Sequence, residues 1–159
     1  MSSDSGAREH LIWLLEGGHA HTKFDGAVKG FPVARAGEVP AGVPYSAWQL
    51  LEHMRLAQND MLRFSLSADH VSPEWPSGYW PADPAPKSES DWSKSLRSFR
   101  KDLAEFVAVI RDPHQDLYRK FPWGDGQTLF REALQIADHN AYHLGQLVLL
   151  RRLLGEWEK

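Results

Sequence analysis

Two histidines lie four residues apart near the C-terminus, in the run ADHNAYHLGQ that begins at Ala137. The leucines that follow predict a helix, and residues four apart on a helix point to the same side. The imidazoles of His139 and His143 can therefore bind one metal ion, each through a nitrogen about 2.0–2.1 Å from it. The alternative is that one of the two lies on the surface and the other is a hydrogen-bonded residue of the core.

A third histidine, His53, lies on another predicted helix. It is next to an apolar stripe formed by Leu50, Met54, Ala57 and Met61. His53 should therefore face the interior, where a lone histidine is usually a satisfied core residue. If it faces His139 and His143 instead, the three neutral imidazoles form a metal site with coordination positions left for water or substrate. Such an arrangement is typical of catalytic rather than structural sites.

Two segments that carry these histidines resemble the DinB/YfiT-like superfamily of bacterial four-helix proteins. They are PYSAWQLLEHMRLAQNDML, from Pro44, and DHNAYHLGQLVLLRRLLGEW, from Asp138. The resemblance extends from about Leu11 to Trp157. It implies that a divalent metal is bound by His53, His139 and His143, with Gly145 and Gln146 completing the motif. It also implies an all-α fold, a four-helix bundle that runs up-down-down-up with a long crossover loop between helices 2 and 3.

The run GGHAH, which ends at His21, lies in the first predicted helix. If the first two helices are antiparallel, with Val28 level with Ser46, the equal rise per residue places His21 near His53. His19 and His21 are two residues apart, so only one of them can face inward. That residue could be a fourth ligand or a catalytic general base. The alternative is a polar side chain beside a Gly-Gly kink, with no chemical role.

Four segments have helical periodicity, and none has the sustained period-2 alternation of a strand. They run from about Arg8 to Val28, from Ser46 through Phe64, from Asp91 to Arg111 and from about Thr128 to Leu154. Ser46 and Gln49 predict a capping box at the second helix, whereas Gly17 and Gly18 weaken the first. Four helices of this length predict a four-helix bundle. We expect a single domain over residues 1–159, with residues 1–7 flexible.

The connection from Ser67 to Glu89 is long and contains five prolines in HVSPEWPSGYWPADPAP. Its aromatic residues indicate that it packs on the bundle, and long irregular loops are often lids or binding segments. This connection would be the crossover loop. We expect a substrate pocket lined by Trp48, Trp75, Tyr79 and Trp80. The histidines in terminal or loop positions, His10, His70 and His114, should be solvated.

The composition of the 159 residues limits the function. The chain has no cysteine, which excludes disulfides, cysteine-ligated metals and thiol nucleophiles, so a metal must be held by His, Asp or Glu. A net charge of −3 and the lack of a basic stripe predict no nucleic-acid partner. We also find no signal-peptide pattern and no apolar segment approaching the roughly 20 residues that cross a bilayer. We therefore expect a cytoplasmic protein with no membrane partner.

Two kinds of function are compatible with these residues. The resemblance implies a metal-dependent enzyme, either a thiol S-transferase or a hydrolase, because characterised members of that family use low-molecular-weight thiols, bacillithiol or mycothiol, at the metal. Three imidazoles suit zinc or nickel, with iron or copper as alternatives. The other function is a non-enzymatic, metal-stabilised helical module that binds a small ligand or a partner through a closed site. A small-molecule substrate and a homodimer are further expectations.

Overall fold

The computed structural model describes residues 4–157, which contain α-helices and two short 3-10 turns but no β-strand. The helices are α1 (Asp4–Leu15), α2 (Phe24–Val28), α3 (Ala47–Leu66), α4 (Glu89–Arg111) and α5 (Leu129–Leu153). The 3-10 turns are Val33–Arg35 and Ser77–Tyr79. The all-α prediction is confirmed. Within the same described range, no helix is long and apolar enough to cross a membrane.

The three long helices begin where side chains cap them. Ser46 Oγ accepts the N–H of Gln49, and the Gln49 side chain accepts the N–H of Ser46, so the predicted capping box is present. Ser88 accepts the N–H of Asp91 at the start of α4, and Thr128 has the same function for α5. These bonds satisfy N–H groups that have no partner within the helix. The sequence therefore fixes these helix starts locally.

The single first helix predicted from Arg8 to Val28 is wrong, because the segment forms α1 and α2 with a turn between them. Gly17 and Gly18 have φ angles of 92° and 51°, in the left-handed region. Residues in a right-handed helix do not adopt these angles, and glycine adopts them with little strain. His19 and His21 consequently lie in the turn rather than on a helix.

The N-terminal helix is held at the end of α4 by Arg8, which is 8% exposed. Its guanidinium donates to the carbonyl oxygens of Ile110 at 2.7 Å and Asp112 at 2.9 Å, and also to that of Gln115. These carbonyls lie at a helix end, where intrahelical partners are missing. Of the segment 1–7 that we expect to be flexible, residues 1–3 lie outside the described residues and residues 4–7 belong to α1.

Helix α3 packs against α4 and α5, and α1 packs against the same two helices. Two groups of buried apolar residues form the core. The first includes Ala57, Leu62, Phe106, Ile110, Ile136 and Ala137. The second includes Leu51, Met54, Phe99, Leu144, Leu147 and Leu150. The change from one group to the other falls between residues 54 and 57 of α3 and between residues 137 and 144 of α5. His139 and His143 therefore lie at this boundary, and His53 lies one residue before it.

Polar contacts also join the long helices. From α3 to α4, Glu52 contacts Ser95, Asn59 donates to Asp102, and Arg63 donates to Glu105. Gln58, which is fully buried, donates to the Phe99 carbonyl at 2.8 Å and accepts from the Asn140 amide at 2.8 Å. One side chain of α3 therefore links both neighbouring helices next to the histidines.

The segment 67–88 between α3 and α4, which we call the strap, is anchored to α3 through His70 and Tyr79. Asp60 accepts a hydrogen bond from the Tyr79 hydroxyl at 2.7 Å, and His70 Nε2 lies 2.7 Å from the same carboxylate. His70 is 19% exposed, so the expectation that it is solvated is wrong. The aromatic strap packs on the helices, as its composition predicts.

The second half of the strap follows α3 back toward its first turn. The Pro81 carbonyl accepts from Gln49 at 3.2 Å, and the Pro84 carbonyl accepts from the Ser46 hydroxyl. The strap therefore lies along α3 from Asp60 to Ser46, and this path carries Tyr79 and Trp80 past His53.

Replacing Gly17 by alanine should lower the free energy of unfolding by roughly 1–3 kcal/mol, because a Cβ strains a backbone with φ of 92°. The matched control is Gly6→Ala in α1, where an added Cβ meets no atom within 4 Å. This control should be neutral or stabilising by up to about 1 kcal/mol. Urea unfolding followed by circular dichroism measures both changes. An unchanged midpoint in Gly17→Ala would contradict the turn.

Candidate metal centre

Three histidines from two helices converge between α3 and α5. His53 Nε2 lies 3.1 Å from His143 Nε2 and 3.1 Å from His139 Nε2. The possible ligand atoms of the three residues all lie within 4.8 Å of one another. His53 is 3% and His143 is 7% exposed, while His139 is half-buried. The structure thus brings together the three residues singled out in the sequence, which we call the triad.

The helices position the triad through their packing. His139 and His143 are one turn apart on α5, and their ring centroids are 4.5 Å apart. His53 faces them from α3, with ring centroids 4.9 Å from His139 and 4.5 Å from His143. Because apolar side chains pack above and below this level, the three rings are held in contact, and His53 and His143 are buried.

Hydrogen bonds at the outer nitrogens fix the tautomers of two rings. His53 Nδ1 lies 3.1 Å from the Tyr79 carbonyl oxygen, and His143 Nδ1 lies 2.7 Å from Gln146 Oε1. Both oxygens are acceptors, so each Nδ1 carries a hydrogen. A neutral imidazole has one N–H, and its other nitrogen is an acceptor. The Nε2 atoms of His53 and His143, 3.1 Å apart, therefore both carry a lone pair and no hydrogen.

Protonation does not relieve this contact at neutral pH. Burial, with a smaller contribution from the charge that His143 would carry, lowers the pKa of His53 to about 4, although the hydrogen bond to the Tyr79 carbonyl opposes this shift. Burial also lowers the pKa of His139 to about 4, again with contributions from the other two rings. The pKa of His143 is lowered by burial as well. All three rings are consequently neutral at pH 7.

The donor set fits a metal ion. Two lone pairs held this close repel each other, and a cation that accepts both of them removes the repulsion. Nitrogens about 2.0–2.1 Å from one ion, at angles of about 90–110°, lie roughly 2.9–3.4 Å apart. The observed separations of 3.1 Å lie in this range. His139 Nδ1 is buried without a hydrogen-bond partner among the described residues, so it leaves that ring's tautomer unconstrained.

Trp80 covers one side of the triad. Its indole stacks on His53 with ring centroids 3.8 Å apart and an interplanar angle of 7°, and it meets His143 edge-on at 6.0 Å. Tyr45 stacks on the same indole at 4.0 Å. The strap thus places an aromatic wall beside the candidate ligands.

The residues predicted to line a substrate pocket lie at different places. Tyr79 and Trp80 adjoin the triad, whereas Trp75 is 70% exposed and contacts Tyr79 from outside at 5.5 Å. Trp48 lines a separate open groove of about 480 Å³. Other residues of this groove are Glu52, Arg55, Pro81, Lys87, Asp91 and Ser95.

The two histidines of GGHAH are exposed. His21 Nδ1 lies 2.8 Å from the Thr22 carbonyl, and the His19 ring meets Trp13 edge-on at 5.8 Å. The hydrogen bonds and ring contacts described for the triad involve neither residue. A catalytic role for His19 or His21 stays a prediction.

The sequence did not indicate every residue that supports the triad. Gln146 belongs to the recognised motif, and its position three residues after His143 is the signal for a hydrogen bond within one helical face. The Tyr79 carbonyl was missed, because a main-chain carbonyl in an irregular segment has no sequence signal.

The sequence also matches a known protein family. A family model described as the DinB superfamily matches residues 18–147, which include the whole triad and Gln146. This match confirms the family resemblance noted in the sequence. Searches of curated proteins and of solved structures gave no significant match.

Stability of the metal-free protein should depend on the triad below neutral pH. The pKa values of His53 and His139 are lowered from 6.5 to about 4, so the unfolded chain binds more protons between these values. The free energy of unfolding should be highest above pH 6.5 and fall as the pH drops toward 4. The slope should be at most about 1.4 kcal/mol per pH unit for each histidine.

Urea unfolding of chelator-treated protein across this pH range measures the effect. His53→Gln should flatten the dependence, whereas His114→Gln, at an exposed position, should leave it unchanged. A wild-type profile that is flat between pH 6.5 and 4 would show that the buried rings are not held neutral.

Proposed function

Since the chain belongs to the DinB superfamily, we propose that His53, His139 and His143 bind one divalent transition metal ion in a metal-dependent enzyme of thiol S-transferase or hydrolase type. The observation that carries the proposal is the separation of 3.1 Å between the Nε2 atoms of His53 and His143, both of which carry a lone pair and no hydrogen. When bound, the ion supplies Lewis acidity that can activate a thiol or a water.

The chain's own residues hold the proposed ligands in place. The Tyr79 carbonyl and the Gln146 side chain each accept the outer N–H of a triad histidine. Histidines that bind metals usually make such a bond, because it fixes the tautomer and the ring orientation. This pattern supports a metal site over a chance cluster of core histidines.

Zinc or nickel is the proposed metal, with iron or copper as alternatives. All three donors are imidazoles, and the chain has no cysteine that would select a softer ion. The affinity of such a site for divalent ions follows the Irving–Williams order. The metal that is bound therefore also depends on which ions the cell supplies.

The proposed substrates are small molecules, and the proposed co-substrate is a low-molecular-weight thiol such as bacillithiol or mycothiol. The indole of Trp80, which lies beside the triad, would form an apolar wall against the substrate or the thiol. Tyr79 contacts His53 through its main-chain carbonyl, and we do not assign Trp48 or Trp75 to the same pocket. Association of two copies of the chain into a homodimer stays a prediction from the sequence.

For the fold we propose the up-down-down-up bundle, with the strap as the crossover. The contacts Glu52–Ser95, Asn59–Asp102 and Arg63–Glu105 follow the same order along α3 and α4, as in parallel helices. The contacts His53–His143 and Gln58–Asn140 follow opposite orders along α3 and α5. Arg8, in the first half of α1, reaches the end of α4. These contacts support a parallel pair of α3 and α4, with α1 antiparallel to α4 and α5 antiparallel to α3.

The second candidate function is a non-enzymatic, metal-stabilised module that binds a small ligand or partner. The burial of His53 and the close stacking of Trp80 on it favour this alternative, because both limit access to the triad. In such a protein the ion would be coordinatively closed and would contribute stability only.

Untagged protein should contain about one metal ion per chain, and His53→Ala or His139→Ala should remove it, because three imidazoles are needed for tight binding. Elemental analysis by mass spectrometry measures the ratio. His10→Ala is the matched control, since His10 is exposed on α1. Retention of a full complement of metal in both triad variants would rule out the site.

A metal ion with an open coordination position, as in an enzyme, should bind a thiol, whereas a coordinatively closed ion should not. In cobalt-substituted protein with an open position, a low-molecular-weight thiol should produce a thiolate charge-transfer band in the near ultraviolet. Turnover of an electrophile should then require both the thiol and the metal. Without any band or turnover the module would be favoured, and full activity in the triple-histidine variant would exclude a metal mechanism.

A further inference from the structure

Tyr79 contacts α3 at two places. Its carbonyl oxygen accepts from His53 Nδ1 at 3.1 Å, and its hydroxyl donates to Asp60 at 2.7 Å. Asp60 lies seven residues after His53, two turns or about 10 Å along the same side of the helix. A tyrosine extended along the helix spans this distance. One strap residue therefore connects the Asp60 carboxylate to a member of the triad.

Asp60 is well suited to hold this residue. Its side chain is 14% exposed, and its two oxygens are occupied by Tyr79 and His70 of the strap. Burial and the Asp60 carboxylate raise the pKa of Tyr79 to about 12, so the hydroxyl remains a donor throughout the neutral range. Hydrogen bonds to a charged acceptor are stronger than neutral ones.

We propose that Asp60 is a positioning residue for His53: by binding the Tyr79 hydroxyl it fixes the carbonyl group that holds His53 in its Nδ1–H form, with Nε2 directed at His139 and His143. The inference rests on the proposed function for its consequence, the metal affinity, but the effect on His53 exists without a metal. Asp60 itself does not touch the ion or the substrate.

The competing explanation is that the 3-10 turn Ser77–Tyr79 holds the carbonyl without help. The N–H of Tyr79 bonds to the Pro76 carbonyl at 3.1 Å, and that of Gly78 bonds to the Glu74 carbonyl at 2.7 Å. If these main-chain bonds suffice, loss of the Asp60 contact lowers stability but leaves His53 unchanged. The two explanations therefore predict different imidazole spectra.

The first test is ¹⁵N NMR of the imidazoles in metal-free protein. In the wild type His53 should be in the Nδ1–H form, and Tyr79→Phe and Asp60→Ala should both shift it toward a mixture of tautomers. Tyr118→Phe and Asp69→Ala are matched controls at exposed positions and should have no effect. An unchanged His53 tautomer in both variants would overturn the proposal, even if their unfolding midpoints fall.

The second test is Zn²⁺ affinity, measured by competition with a chromophoric chelator. Tyr79→Phe and Asp60→Ala should each weaken binding by roughly tenfold or more, as expected for residues that orient a ligand. The double variant should be no weaker than the weaker single variant, because both changes remove the same bond. Affinities within twofold of the wild type would overturn the proposal. A wild type that binds none of Zn²⁺, Ni²⁺, Fe²⁺ and Cu²⁺ would instead refute the proposed function, while the NMR result would still decide the role of Asp60.

Discussion

The arrangement of His53 and His143 depends on one constraint: in a buried contact, two neutral imidazoles hold Nε2 atoms that both carry a lone pair 3.1 Å apart. The contact is unfavourable for the isolated rings, so other interactions must hold it. Apolar side chains on both sides of the triad pack α3 against α5, and the outer nitrogens are engaged by Tyr79 and Gln146. The fold thus holds the two rings in a contact whose repulsion a bound cation would relieve.

The strap determines what surrounds this site. Its polar contacts with Asp60, Gln49 and Ser46 set its path along α3, and that path decides which strap residues meet His53. A net contribution of about 1 kcal/mol for each hydrogen bond is typical, so several such contacts together fix the path. The stacking of Trp80 on His53 follows from this path, and so does the carbonyl of Tyr79 at Nδ1.

Local signals in the sequence predict the long helices and the pairing of His139 with His143 on one helix face. The capping box at Ser46 and the caps at Ser88 and Thr128 act within one turn, and the spacing of His139 and His143 is a property of one helix. Non-local features were not predictable in the same way. The positive φ angles that end α1 depend on how the chain must turn, and the two glycines indicated only a weakening. The anchoring of His70 and Tyr79 to Asp60 depends on a strap path that no residue pattern specifies.

The charge of the candidate centre bears on its chemistry. The donors are three neutral imidazoles, and among the described residues no carboxylate belongs to the same group of candidate ligands. A divalent ion held there would keep its full charge, because no protein anion compensates it. Such a centre favours an anionic ligand at any remaining position, and a thiolate is the anion that the proposed thiol transfer requires. By the same reasoning it would lower the pKa of a bound water, which the hydrolase alternative requires. A site with a carboxylate ligand would have a smaller net charge. It would therefore attract a thiolate less strongly and lower the pKa of a bound water less. The choice of imidazole alone thus supports activation of a nucleophile over a purely structural ion.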